Sequence, residues 1–237
     1  MRPWDDPRIA GGMRTQLEAR RARIAAGELP LGWKVGFGAP PAMEMLKISA
    51  PVVGYLTQSA LLPPGSTVSL QGWTKPVAEP EIAVRMASDL GADASPDAVA
   101  AAIRDIRPAI ELADLNLTPA ADSLEQIVAG DIFQRHVLLS PAARAGASTA
   151  GLTSRVERRG TELARTTGPE ALTGKLLDIV AHVASMLAAF DEKLAAGDVV
   201  ITGSITPPLM IEPDEPGIRH VIDPIGDVSV VFAQVGS

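Results

Sequence analysis

The chain has 237 residues, of which 46% are hydrophobic and 21% are charged. This composition is close to the average of globular proteins and excludes wholesale disorder. Because cysteine is absent, disulfides, zinc–thiolate sites, iron–sulfur clusters and thiol nucleophiles are excluded, and any metal must be held by oxygen or histidine. The formal net charge of -7 disfavours nucleic acid and anionic membrane surfaces as partners and favours small ligands.

The first predicted element is a surface helix over residues 13–26. Met13, Leu17 and Ile24 share one face at helical spacing, and Gly27 is a typical helix end. After it, glycine, proline and short β-branched runs dominate up to about residue 83, which predicts several short strands. These runs are GWKVGFG (32–38), PVVGYL (51–56), GSTVSL (65–70) and EIAVRM (81–86).

Elements of both kinds are predicted in the rest of the chain. We expect helices over 97–106 and 174–196, and strands over 109–114 and 136–140. A hairpin is expected to turn at Arg159-Gly160, and the tail after residue 197 is expected to form three or more strands. Strands in both halves without regular strand–helix alternation indicate an α+β fold with a mixed sheet. No apolar run reaches the ~20 residues of a membrane span, so we expect a cytoplasmic protein.

The most unusual local feature is a pair of glutamates, Glu79 and Glu81, on either side of Pro80. Residues i and i+2 of a strand share a face, so the two carboxylates repel one another unless a cation lies between them. Asp114 ends the AIELAD strand and is the third candidate ligand. Three carboxylates select a hard cation, Mg²⁺ or Mn²⁺, with Ca²⁺ as an option for a loose site. The alternative is a solvated strand edge, with Asp114 as a helix or turn cap.

Five sequence blocks occur in an order that resembles a known family. Together they are similar to the fumarylacetoacetate hydrolase superfamily, and more closely to its branch of 2-keto-4-pentenoate hydratases and related 2-oxoacid hydratases and decarboxylases. The resemblance extends over roughly residues 30 to 235. The blocks are GWKVGFG (32–38), PVVGYLT (51–57), KPVAEPEIAV (75–84), PAIELADLN (108–116) and AGDVVITGSITPP (196–208).

The resemblance implies a fold and a set of site residues. The fold is an α+β mixed β-roll or β-sandwich of the fumarylacetoacetate hydrolase C-terminal-domain type, with residues 1–30 as a helical arm and 31–237 as the metal-binding domain. Mg²⁺ or Mn²⁺ would be bound by Glu79, Glu81 and Asp114, and Lys34 would be catalytic. The expected substrate contacts are Lys75, Gly203, Ser204 and Thr206.

The chemistry implied by the resemblance is enolate chemistry on a small 2-oxo acid. A metal that chelates the 2-oxo acid would polarise its carbonyl and stabilise the enolate. We therefore predict a lyase that hydrates a 2-oxo-4-enoate in aromatic catabolism, and a homodimer or higher homo-oligomer. A decarboxylase, an acylpyruvate-type C–C hydrolase and a non-catalytic partner subunit remain as alternatives, because the fold and the metal do not choose the reaction.

The chain departs from the family pattern at two positions. Hydrolytic relatives carry a histidine–glutamate pair on a short lid, whereas residues 39–49 here contain Glu44 and no histidine, which disfavours hydrolysis. Glu44 is either a lid acid or base or an exposed helix residue. Asp131 stands where a neutral asparagine is common. Its additional negative charge near the metal would either support the metal ligands or weaken the binding of an anionic substrate. Glu111 is expected to support the metal ligands without binding the metal itself, because strand alternation places it and Asp114 on opposite faces.

Overall fold

The computed structural model describes residues 2–115 and 123–233. Asn116, the last residue of the PAIELADLN block, lies outside these ranges. The α-helices of the described residues are α1 (Pro7–Ala25), α2 (Pro40–Leu46), α3 (Pro96–Ala102), α4 (Leu124–Ala129) and α5 (Leu176–Ala188). None of these helices has the length and apolar character that a membrane crossing requires.

The described strands form two sheets. The first half of the chain contains β1 (Pro30–Gly36), β2 (Val52–Thr57), β3 (Leu61–Leu62), β4 (Thr67–Val68), β5 (Pro76–Met86), β6 (Ile103–Asp114) and β7 (Gln134–Leu139). The second half contains β8 (Arg144–Ala145), β9 (Thr153–Arg158), β10 (Thr161–Thr167), β11 (Val199–Ser204), β12 (Leu209–Met210), β13 (Gly217–Asp223) and β14 (Gly226–Phe232).

The larger sheet contains nine strands and the smaller sheet contains five. The larger one runs in the order β2-β1-β11-β5-β6-β7-β3, with β12 beside β5 and β8 beside β6; the smaller one runs β10-β9-β13-β14-β4. Most neighbouring strands are antiparallel, while β1 with β11, β3 with β7 and β4 with β14 are parallel. The predicted α+β class with mixed sheets is confirmed.

The larger sheet curls so strongly that side chains from distant strands meet on its inner face. Lys34 of β1 forms an ion pair with Glu111 of β6, although β11 and β5 lie between these strands. In a flat sheet, three strand spacings of about 4.8 Å would separate the two backbones by roughly 14 Å, which is beyond the reach of the two side chains. Leu56 of β2 and Val137 of β7 likewise share one buried cluster. The inner face is therefore a closed concave space, as in a β-roll.

Helices cover the outer face of the same sheet. The main core joins Met13 of α1 and Val183 of α5 to Trp33 and Val200 of the sheet. Helix α1 begins earlier than predicted, because Asp6 caps its first turn through the N–H of Arg8. The amino-terminal helix is thus part of the core.

The largest difference from the sequence-based elements concerns residues 97–106. The predicted helix ends after Ala102 as α3, and the chain then continues as β6. Strand β6 pairs along nearly its whole length with β5, and this ladder of hydrogen bonds outweighs the local helical pattern. Helix α5 is also shorter than the predicted 174–196. The predicted hairpin is confirmed, with Arg159 and Gly160 both at positive φ between β9 and β10.

The two sheets pack face to face around a second core, and one buried histidine joins them. His220 of β13 is fully buried; its Nδ1–H donates to the carbonyl of Ala109 in β6 at 2.9 Å. Because a carbonyl only accepts, Nδ1 carries the proton, so Nε2 accepts from the hydroxyl of Ser154 at 2.9 Å. Burial lowers the pKa of His220 to about 4. Neutral histidine therefore links the sheets.

This histidine predicts an acid-sensitive stability. The pKa of His220 is lower in the folded chain than the ~6.5 of an unfolded chain, so its contribution is complete above pH ~6.5 and is lost as the pH falls toward 4. The linked loss is about 3 kcal/mol of unfolding free energy. Urea denaturation of the wild type and of His220→Gln at several pH values between 7 and 4 gives the unfolding free energy of each protein as a function of pH. The difference between the two pH dependences is the contribution of the histidine. The same pH dependence of the unfolding free energy in both proteins would contradict the lowered pKa of His220.

Candidate active site

Three glutamates meet on the inner face of the larger sheet. Carboxylate oxygens of Glu79, Glu81 and Glu111 all lie within 4.8 Å of one another. Glu79 and Glu81 are alternate residues of β5, and Glu79 pairs directly with Glu111 of β6 in the antiparallel register. Directly opposite residues share a face, so the three carboxylates point into the same space. The prediction that Glu79 and Glu81 lie together on one face agrees with this geometry.

The structure does not place Asp114 in this group. In the register, Asp114 pairs with Pro76, which is an odd number of residues from both glutamates of β5 and therefore belongs to the opposite face. Its carboxylate accepts backbone N–H bonds from Thr74 and Lys75, and Arg135 lies 3.5 Å away. Asp114 thus caps the turn before β5, which was the alternative interpretation. The third carboxylate of the cluster is that of Glu111, whereas the sequence predicts Asp114 at this place.

The cluster has oxygen atoms to which the protein supplies no hydrogen-bond donor. Glu81 and Glu111 are fully buried. Oε2 of Glu81 accepts the N–H of Gly203 at 2.7 Å, but no donor in the described part of the chain reaches Oε1 of Glu81 or Oε2 of Glu111. Burial, together with repulsion from Glu111, raises the pKa of Glu79 to about 7 and that of Glu81 well above its ordinary value, and burial also raises the pKa of Glu111. A hard divalent cation fits this donor set.

A buried lysine partly balances the three carboxylates. Lys34 is 1% exposed; its ammonium group pairs with Glu111 and donates to the carbonyl of Ile132 at 3.1 Å. Burial alone would lower the pKa of Lys34, but Glu111 and Glu79 raise it above its ordinary value, so the charge is retained. Lys34 therefore lies where the sequence predicts a catalytic lysine, in contact with the carboxylate cluster.

The loop of the predicted substrate contacts is adjacent to the same cluster. Gly203 has φ +91°, a conformation that favours glycine, and this directs its N–H at Glu81. Ser204 pairs with Glu81 in the sheet, and its buried hydroxyl has no hydrogen-bond partner among the described residues. Thr206 is also buried, with its hydroxyl donating to the carbonyl of Pro207. The structure brings Gly203 and Ser204 directly to the carboxylates.

Two predicted site residues have exposed side chains. Lys75 contributes its backbone N–H to the Asp114 cap, while its side chain is exposed. Glu44 is exposed on α2, and no side-chain hydrogen bond joins it to another described residue. Neither side chain belongs to the buried cluster, so their roles in catalysis and substrate binding stay predictions.

One further polar residue near the cluster was missed from the sequence. Gln134 pairs with Ala113, two residues beyond Glu111 on the same strand, and so lies on the face of the three glutamates. Both polar atoms of its amide are buried and have no partner within the described residues. The sequence contains no motif that singles it out, because only the register of β6 with β7 places it there.

Comparisons with known proteins agree with this fold. The family model described as fumarylacetoacetate (FAA) hydrolase C-terminal matches residues 33–229. The chain is 30% identical over 230 residues to a 2-hydroxyhexa-2,4-dienoate hydratase of Comamonas testosteroni, covering 92% of this chain and 84% of the relative. It is 26% identical over 216 residues to a 2-keto-4-pentenoate hydratase of Burkholderia vietnamiensis, covering 90% and 81%.

A solved structure has the same overall fold. The 4-oxalocrotonate decarboxylase of Pseudomonas putida G7, complexed with magnesium and adipate, superposes with a TM-score of 0.84 at 26% sequence identity. The superposition covers 95% of this chain and 86% of that chain. The family match spans the inner-face cluster and both sheets, and the chain therefore belongs to the fumarylacetoacetate hydrolase family.

Proposed function

We propose that the protein is a divalent-cation-dependent hydratase that adds water to a 2-oxo-4-enoate, a small acid formed from its 2-hydroxydienoate. The observation that carries the proposal is the inner-face group of the half-buried Glu79 and the buried Glu81 and Glu111. The unpartnered oxygens of Glu81 and Glu111 face the same space as Lys34 and Ser204. The similarity to two relatives named as hydratases supports the same reaction class.

The three glutamates would hold Mg²⁺ or Mn²⁺. When bound, the cation supplies Lewis-acid polarisation of a 2-oxo acid and stabilises its enolate. This role replaces the predicted set that contained Asp114, because the backbone N–H groups of residues 74 and 75 already occupy that carboxylate.

The chain's own residues would bind and orient the substrate. The ammonium group of Lys34 lies beside Glu111 and would attract the substrate carboxylate in a space from which water is largely excluded. The Ser204 hydroxyl, which lacks a partner among the described residues, would donate to a substrate oxygen. Lys75 and Thr206 as substrate contacts, and Glu44 as a lid acid or base, complete the proposal.

A decarboxylase is the second candidate, because the solved structure with a TM-score of 0.84 is a 4-oxalocrotonate decarboxylase. Both reactions pass through an enolate of a 2-oxo acid, so the cluster serves either one. C–C hydrolysis is disfavoured because residues 39–49 contain no histidine that could activate water. The family resemblance also supports a homo-oligomer in the cytoplasm.

The two candidate reactions are separated by one assay. We expect the purified protein to consume 2-hydroxypenta-2,4-dienoate only in the presence of Mg²⁺ or Mn²⁺, seen as loss of the dienol's ultraviolet absorbance, with 4-hydroxy-2-oxopentanoate as product. In a parallel reaction, 4-oxalocrotonate is expected to release no CO₂. Rapid CO₂ release without hydration of the dienol would favour the decarboxylase, and inactivity with both substrates would contradict an enzymatic role.

A further inference from the structure

We propose that Asp131 is a catalytic acid that transfers a proton to and from C3 of the bound 2-oxo acid, the carbon next to the 2-oxo group. The inference rests on the proposed function and assigns one of its proton transfers to a residue in which this chain departs from the family pattern. It is carried by the backbone turn at Asp131, by its contacts and by the charge of the site.

The backbone at Asp131 has an unusual conformation. Asp131, Ile132 and Phe133 have successive φ values of 58°, 51° and 64°, all in the left-handed region that side chains other than glycine rarely adopt. This conformation is unfavourable for each of the three residues, so surrounding contacts must maintain the turn. The turn directs the carbonyl of Ile132 to the ammonium group of Lys34 and the side chain of Asp131 to β2. The strained turn therefore positions Asp131 beside the lysine of the site.

The Asp131 carboxyl is held at one oxygen, and its other oxygen is available. Oδ1 accepts the backbone N–H of Tyr55 at 2.8 Å. A Cβ atom added to Gly54 would lie 2.7 Å from this Oδ1 and 2.9 Å from Cγ of Lys34. The carboxyl group and the lysine side chain therefore pack together over the backbone of Gly54. Among the described residues, no hydrogen bond involves Oδ2 of Asp131. Oδ2 is thus free to exchange a proton with a ligand.

The charge of the site favours a protonated Asp131. With all three glutamates ionised, they and Lys34 together carry a net charge of -2, which one divalent cation would neutralise. The substrate brings a carboxylate of its own, so an ionised Asp131 would add a second uncompensated negative charge in a buried space. A carboxylic acid at this position avoids that cost and provides a proton.

The groups around Asp131 agree with this state. Lys34, the Tyr55 N–H and Arg23 of α1 lower the pKa of Asp131, whereas Glu111 raises it. Burial outweighs these influences and raises the pKa of Asp131 to about 8. At neutral pH the residue is therefore predominantly protonated, and it can lose its proton at modest cost, as an efficient general acid must.

The proposed proton transfer balances as follows. The 2-hydroxydienoate first becomes the conjugated 2-oxo-3-enoate, as its hydroxyl O–H bond breaks and a C5–H bond forms. After water has added to C4 of this 2-oxo-3-enoate, the enolate has a C2=C3 double bond. The O–H bond of Asp131 breaks, a C3–H bond forms with the electron pair of that double bond, and the C2–O⁻ group becomes a carbonyl. The proton released by the added water returns to the Asp131 carboxylate. In reverse, the carboxylate removes a proton from C3 of any bound 2-oxo acid.

The reverse step supplies a test that needs no hydration. Wild-type protein with Mg²⁺ in D₂O is expected to exchange the C3 protons of 2-oxobutanoate, followed by proton NMR. Asp131→Asn keeps an oxygen that can accept the Tyr55 N–H, and it should reduce both this exchange and the hydratase kcat by about 100-fold or more. The KM, the Mg²⁺ affinity and the melting temperature should stay close to those of the wild type. The hydratase rate of the wild type, which needs the protonated acid, should fall above pH ~8, and this fall should be absent in the variant.

Controls separate this role from a structural one and from the proposed function. Asp227→Asn, at an exposed surface position, should exchange protons at the wild-type rate. Exchange by Asp131→Asn at the wild-type rate, or no exchange by the wild type, would overturn the inference. So would a loss of Mg²⁺ binding or of thermal stability that accounts for the lost rate, because the role would then be structural. If the wild type exchanges C3 protons through Asp131 but does not hydrate the dienol, the hydratase proposal fails and the role of Asp131 stands.

Discussion

Glu111→Gln is expected to weaken Mg²⁺ and Mn²⁺ binding by about 100-fold or more, whereas Asp114→Asn should bind both ions with wild-type affinity. Substitutions of groups that only support metal ligands already cost about 10–100-fold, and loss of a direct ligand costs at least as much. Glu111 contributes a buried oxygen with no donor and lies within the 4.8 Å cluster, while Asp114 accepts hydrogen bonds from a turn on the other face. Isothermal titration calorimetry measures the affinities.

The pair of variants is matched, because each replaces a buried carboxylate on the same strand by an amide of the same size. Circular dichroism and thermal melting of both proteins establish that a change in binding is not a change in folding. The opposite result, with loss of metal in Asp114→Asn and retention in Glu111→Gln, would restore the ligand set expected from the sequence and refute the structural assignment.

Lys34→Met is expected to destabilise the metal-free protein by about 3–5 kcal/mol, the usual cost of removing one partner of a buried ion pair. The methionine fills the volume of the lysine stem but leaves the three glutamates without a neighbouring positive charge. Because a divalent cation then becomes their main compensation, saturating Mg²⁺ should raise the unfolding free energy more in the variant than in the wild type. Urea denaturation with Mg²⁺ and with EDTA measures both quantities.

Lys175→Met serves as the control for this experiment, since it removes an exposed lysine at the start of α5. Its stability should remain within about 0.5 kcal/mol of the wild type, as for most surface substitutions. A Lys34→Met protein with wild-type stability in EDTA would show that the lysine does not compensate the glutamates. The hydratase activity of Lys34→Met should also be largely lost, because the proposed contact to the substrate carboxylate is removed.

The glutamate pair illustrates what a local pattern can predict. Glu79 and Glu81 are two residues apart on a strand, so alternation alone places them on one face, and the structure agrees. The same alternation places Glu111 and Asp114 on opposite faces, but it does not tell which of them faces β5's glutamates. That choice depends on the register between β5 and β6, where Glu79 lies opposite Glu111. A one-residue shift would have exchanged the two acids.

Residues 97–106 and Gln134 show the same limit for the fold. The helical spacing of the segment after Ser95 was real but short, and pairing with β5 draws it into β6 from Ile103 onward. Gln134 belongs to no recognisable sequence motif. Its place on the inner face results from a β-bulge in the pairing of β6 with β7. In both cases partners distant in the chain decide the outcome.

The amino-acid sequence by itself determined the α+β class, the absence of thiol chemistry, the two glutamates of the E-x-E block and the lysine between two glycines, because these depend on composition and neighbouring residues. The tertiary structure alone decided that Glu111, and not Asp114, lies beside Glu79 and Glu81, that Lys34 reaches across the curled sheet to Glu111, and that Asp131 turns toward Lys34. These contacts join residues some 30 to 100 positions apart. Strand register and sheet curvature set them, and neither is encoded in a local pattern.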